Sequence, residues 1–205
     1  DGVDGSGVVR FLATNFLKGV TIRGNALVPN GNTLRLENDL TLNDARLSLA
    51  SVGGVVDLII DTPLIAPTGD GEIIGSNQVV NRIYGAASTH RLGVPSTIPI
   101  RGGFAIGINQ MRLTNNGLIQ AEGGAGINLD LTDGLGNFNN GLIRSAPGSQ
   151  LFILGTTLEN ELGTVAAGAG TTVNFQSSRV NGGVIDDEDG VDGSGVVRFL
   201  ATNFL

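Results

Sequence analysis

The chain has no cysteine and no tryptophan, and its 205 residues include a single tyrosine, a single methionine and a single histidine. Without cysteine there is neither a disulfide framework nor a thiolate metal or redox centre, so stability must come from packing. Aromatic residues make up only 4% of the chain, which leaves few of the stacking platforms that grip sugars or bases. Positive charge is also thin: Lys18 is the only lysine, the arginines are scattered singly, and the formal net charge is −7. That balance disfavours nucleic acid and leaves no polybasic patch for a membrane surface. No apolar run reaches the roughly 18 residues of a membrane-spanning helix, and the chain opens on Asp1 with no signal-peptide pattern.

What the chain does contain is glycine, 33 residues of it, among stretches rich in Val, Ile, Leu, Thr and Asn. Such stretches favour pleated strands and tight corners over helical turns. With 40% apolar and 15% charged residues the chain can bury a core. The composition predicts an all-β protein.

Residues 1–17, DGVDGSGVVRFLATNFL, recur unchanged at 189–205, an offset of 188 residues between Asp1 and Asp189. The sequence therefore holds one long period and the start of the next, as if cut from an array, and on that reading the missing signal peptide carries no information. A shorter period runs inside it. Gly117, Gly141, Gly163 and Gly183 each precede a short β-prone run, at steps of 24, 22 and 20 residues, and Gly19 continues the series in the next copy. Apolar pairs two residues apart, the signature of an alternating strand, recur in phase at Ile127/Leu129, Leu151/Ile153, Val173/Phe175 and Val197/Phe199, with Leu34/Leu36 after wrapping. A third series comprises Leu113, Phe138, Leu158 and Val180, then Leu205 and Leu42.

Three short strands per period cannot bury an inward face alone, but stacked copies can. The prediction is a parallel right-handed β-helix (β-solenoid), roughly triangular, with about 22 residues per coil, continuous over 1–205. The apolar pairs should point inward in columns and their middle residues, Asn128, Phe152, Asn174, Arg198 and Arg35, outward. Asn115-Asn116-Gly117 and Asn139-Asn140-Gly141 are expected at corners, where Asn and Gly accept left-handed backbone angles, and Asn side chains stacked coil on coil can bond as a ladder. Residues 43–108 are less regular, yet Val55 to Ile60, Val79-Val80 and Ile106-Gly107-Ile108 read as strands.

Chemistry is sparse. The outward column carries no aligned carboxylates of the kind that glycosidic cleavage requires. Asp130 and Asp133 lie near a strand end, next to Gly134, and read as solvated turn carboxylates. His90 lies in Ser88-Thr89-His90-Arg91 with no metal or triad pattern around it. Gly123-Gly124-Ala125-Gly126 and Gly168-Ala169-Gly170 lack the Lys-Ser/Thr of a phosphate loop and read as corners. The one dense acidic run, residues 186–192, places Asp186, Asp187, Asp189 and Asp192 among glycines. These oxygens suit calcium, although neither an EF-hand loop nor a nonapeptide β-roll spacing is present; a solvated acidic loop is the alternative. No other cofactor is indicated.

Asn81-Arg82-Ile83-Tyr84-Gly85-Ala86-Ala87, Gly107-Ile108-Asn109-Gln110-Met111 and Leu113-Thr114-Asn115-Asn116-Gly117-Leu118-Ile119 resemble segments of very large repetitive surface proteins of environmental bacteria. The repeated Asn-Asn-Gly-Leu-Ile is similar to filamentous-haemagglutinin and autotransporter-passenger solenoids. The resemblance implies export and an extracellular or cell-surface role, and transfers no functional residue. The expectation is a non-catalytic structural repeat forming a filament, sheath or stalk, its partners being further copies end to end. Alternatives are the stalk of an adhesin that binds cell-surface polysaccharide or other cells, and a carbohydrate-active β-helix enzyme.

Overall fold

Alternating apolar residues form the strands and glycine- and asparagine-rich stretches form the corners of the computed structural model, which describes residues 7–134, 136–187 and 195–200. These residues contain no helix. They wind into a β-solenoid of about eight turns in which every strand pairing is parallel. Each turn visits up to three sheets. The first has ten strands, from Val8–Arg10 to Val184–Asp186; the second has nine, from Thr14–Leu17 to Val196–Leu200; the third has six, from Leu64–Ile65 to Arg179–Asn181.

Two of the three periodic series are reproduced in register. Leu118, Leu142, Thr164 and Val184, each following its glycine, are successive partners in the first sheet. Ile127, Leu151, Val173 and Val197 form one column of the second sheet, and Leu129, Ile153, Phe175 and Phe199 the next. The first three members of each column are fully buried, while Val197 is half-buried and Phe199 exposed on the last described coil. Interior columns of this kind form one continuous apolar cluster from Ile22 to Val180, in which each fully buried Leu or Ile contributes about 1.5–3 kcal/mol.

The third series is offset by one residue at Phe138. Phe138 pairs with Thr114 and Glu159, points outward and is 41% exposed, whereas Asn137 and Asn139 are buried beside it. The interior slot in line with Leu113 and Leu158 is filled by Asn137, whose Oδ1 accepts from Leu113 N at 3.2 Å and whose Nδ2 donates to the Thr132 and Thr157 carbonyls, and the next interior column is an asparagine ladder. Asn115 Nδ2 donates to Asn139 Oδ1 at 2.7 Å, and Asn139 Nδ2 donates to Asn160 Oδ1 at 2.7 Å, all three residues being fully buried. Paired in this way, buried amides are satisfied and hold register. A parallel exposed rung links Asn140 Nδ2 to Asn116 Oδ1 at 2.9 Å.

The glycines after these asparagines serve a purpose different from the expected one. Gly117 and Gly141 are not left-handed; a Cβ on Gly141 would run into the Gly117 carbonyl oxygen, and one on Gly117 into that of Pro95. The corner requires close backbone approach, which only glycine permits there.

In the irregular region Val56–Ile60 is a strand, but Val79 and Val80 form a turn leading into Asn81–Gly85. Ile108 also lies in a turn, with φ 44 between Gly107 and Asn109, both left-handed. In the opening coils the third side is hydrogen-bonded as part of the first sheet. Val20–Pro29 and Leu40–Ala50 run around a corner in which Asp44 is an extra residue, left-handed at φ 47, opposite the Arg23/Gly24 step. Asp tolerates that conformation, and a bulge bends the strand there. Leu42 and Leu17 accordingly lie in the first and second sheets rather than the third. Leu205 is outside the described residues.

Candidate functional site

The outward column of the second sheet carries the expected Asn128, Phe152, Asn174 and Arg198 in register, although Asn174 is only 4% exposed. Arg35 does not join it, because Leu34 falls in the Leu129 column and Arg35 pairs with Ile59 in the column of Tyr84. Upstream the outward column continues through Ala105 and Arg82 to Asp57. A carboxylate therefore does stand on this face. Asp57 receives Arg82 through Nε at 2.7 Å and Nη2 at 2.9 Å, and the Tyr84 hydroxyl at 3.3 Å. The Arg82 guanidinium also lies 5.3 Å from the centre of the Tyr84 ring. Hydrogen bonding to Asp57 raises Arg82 above the ordinary arginine value. Burial, followed by the Asp57 charge, raises the Tyr84 phenol, keeping it a donor. Spacing missed this cluster because the turn at Val79-Val80 hides the register between Asp57 and Arg82.

A second feature lies on the outer face of the first sheet. Asp44, Asp70, Glu72 and Glu122 line an open groove of about 660 Å³ together with Arg46, Arg101 and the apolar Ile74. Two of its four carboxylates are paired between coils: Arg46 Nε lies 2.6 Å from Glu72 Oε1, and Arg101 Nη1 lies 3.3 Å from Glu122 Oε1. Asp70 Oδ1 accepts the Asp44 backbone N–H at 2.7 Å, which fixes the bulge. Arg35 and Asp61 form another such pair at 2.7 Å. Opposite charges on successive coils are the rule for these pairs, and they help select register.

Of the acidic run, Asp186 ends the strand Val184–Asp186 and Asp187 follows it, both exposed. They line an open cleft of about 510 Å³ with Val196, Val197 and Phe199. Asp189 and Asp192 are outside the described residues, as is any convergence of the four on calcium. Among the described residues no three His, Cys, Asp or Glu side chains are grouped so as to hold a metal ion.

Asp133 Oδ1 accepts from the adjacent Gly134 N at 3.2 Å and, across to the next coil, from Thr157 Oγ1 at 3.5 Å, and burial raises the Asp130 carboxyl. His90 is half-buried rather than a free surface side chain, its Nδ1 donating to the Ile60 carbonyl at 2.8 Å. The glycine strings are corners: Gly123, Gly126 and Gly170 are left-handed. The chain matches no protein-family model, no curated protein and no solved structure.

Proposed function

We propose that this chain is a repeat of an extracellular structural solenoid, a filament, sheath or stalk in which successive copies continue end to end. The observation that carries the proposal is how the second copy begins. Val196–Leu200, which repeats Val8–Leu12, pairs in register with all five residues of Thr172–Gln176, and Phe199 stacks on Phe175 at 5.1 Å and 9°. The start of one copy thus forms the next coil on the end of the one before. An exposed parallel edge is a template for the chain that follows. Extracellular placement rests on the resemblance of the repeat motifs to large bacterial surface proteins.

The role is structural rather than catalytic: in the main groove Glu72 and Glu122 are each held by an arginine of a neighbouring coil. That groove favours one alternative, a stalk that also binds surface polysaccharide. Immuno-electron microscopy with antibodies raised against the repeat is the test. Labelled fibres or sheaths outside the producing cell are expected; label confined to the cell interior would overturn the proposal.

A further inference from the structure

Arg91 and Arg112 break the charge rule of this solenoid. They are direct partners in the third sheet, on successive coils, where like charges face each other unfavourably. Four other arginines of the described residues meet a carboxylate on a neighbouring coil; among those residues neither of these two does. Arg91 is fixed by neutral acceptors, its Nη1 donating to the Leu113 carbonyl, Thr114 Oγ1 and the Gly136 carbonyl. The Arg112 guanidinium makes no hydrogen bond or ion pair with the described residues, although its backbone N–H donates to the His90 carbonyl at 2.8 Å.

Both guanidinium groups converge on Gly136. A Cβ built there would lie 3.1 Å from Arg91 Nη2 and 4.0 Å from Arg112 Nη1. Burial and the Arg112 charge together hold Arg91 below the ordinary arginine value. Beside them Phe138 is exposed, with Arg91 Cζ 5.7 Å from its ring centre. Gly136 and Phe138 open onto a cleft of about 430 Å³ that is also lined by Asn140, Glu159 and Glu161 and ends at Leu162, itself 80% exposed. The two carboxylates stand on the side away from the guanidiniums, where they can accept from the hydroxyls of a sugar but not receive a second anionic group.

We infer that Arg91 and Arg112 bind one oxyanion, a carboxylate or sulfate ester, carried by an acidic sugar whose ring lies over Phe138 and the adjoining cleft. Two guanidiniums at one point supply the forked donors that planar or tetrahedral oxyanions accept, and a bound anion removes their mutual repulsion. An aromatic face beside them suits a ring. Glu159 and Glu161 in the adjoining cleft disfavour a second anion beside the first, so the site takes one charged group at a time. It is independent of end-to-end assembly: the folded repeat binds whether or not it forms fibres.

The test is titration of the 205-residue protein at low ionic strength with glucuronate, galactose 6-sulfate, inorganic sulfate and neutral glucose. Expected is binding of both acidic sugars, weaker binding of inorganic sulfate and none of glucose. Arg112→Gln, which removes no internal hydrogen bond, should weaken the acidic sugars about tenfold or more. Phe138→Ala should abolish their advantage over inorganic sulfate while leaving sulfate binding intact. Equal binding of glucose and glucuronate, or unchanged affinity in Arg112→Gln with an unchanged melting temperature, would overturn the site. Inorganic sulfate binding as tightly as the acidic sugars would overturn the sugar assignment.

Discussion

Replacing Asn139 by alanine removes the centre of the buried amide ladder. Its Nδ2 donates to Asn160 Oδ1 at 2.7 Å and to the Thr164 carbonyl at 3.1 Å; its Oδ1 accepts from Asn115 Nδ2 at 2.7 Å and from Gly141 N at 3.3 Å. Asn115 Nδ2 keeps a second acceptor in the Leu142 carbonyl. Asn160 Oδ1 and Gly141 N, by contrast, lose their partner in the interior. Each buried group left unpaired costs about 1–3 kcal/mol, so the substitution should cost about 4 kcal/mol. That is a large share of the usual 5–15 kcal/mol of a domain.

The exposed rung supplies the control: Asn140→Ala loses only its bond to Asn116 and should cost no more than about 0.5 kcal/mol. Denaturant titration measures both, and hydrogen exchange around Asn115, Asn139 and Asn160 shows whether the loss is local, since stacked repeats need not unfold in one step. Equal costs for the two substitutions would refute the claim that the buried ladder holds the coils in register.

Gly141→Ala should cost several kcal/mol, because the added methyl meets the Gly117 carbonyl, whereas Gly148→Ala, left-handed at φ 78 with open space around it, should cost only about 1 kcal/mol; melting temperatures separate them. Phe138→Ser should cost about 1 kcal/mol or less, while Leu158→Ala in the interior of the same sheet should cost about 2–5 kcal/mol, and near-equal values would return Phe138 to the core. Arg82→Ala leaves the Asp57 carboxylate, with 11% of its side chain exposed, holding only the Tyr84 hydroxyl, and should destabilise by about 3 kcal/mol. Asp130→Asn should stabilise slightly at neutral pH. Burial raises the folded-state value of Asp130, so its charged form costs stability above that value, and the gain should vanish as the pH falls below the ordinary carboxylate range.

The coil length, the parallel stacking and two interior columns are legible in the sequence because glycines and apolar pairs repeat at nearly constant spacing from Gly117 onward. Phe138 is misassigned because hydrophobicity alone places an aromatic residue inward, whereas Asn137 takes the slot in line with Leu113 and Leu158, its buried amide satisfied by the Leu113 N–H and the Thr132 and Thr157 carbonyls. The charge clusters are not legible. Asp57 meets Arg82, and Arg46 meets Glu72, across 25 and 26 residues, in coils whose turns and bulge at Asp44 break the simple count. The Arg91 and Arg112 pairing escapes for the same reason: single arginines look scattered until the register sets them on successive coils.

End-to-end continuation meets its sharpest test in the repeated segment itself, because its two copies occupy different sheets. Val8–Arg10 pairs with Asn25 to Leu27 in the first sheet, whereas Val196–Leu200 lies in the second, upon Thr172–Gln176. In a continuous array every interior copy must take one placement, and the strand beneath it should select the second sheet. Cryo-electron microscopy of a chain of three repeats should therefore show the middle copy of this segment in the second sheet, with coils stacked at about 4.8 Å and about 40 Å of added length per 188-residue period. Separate solenoids joined by unpaired linkers, with the middle segment in the first sheet, would contradict it.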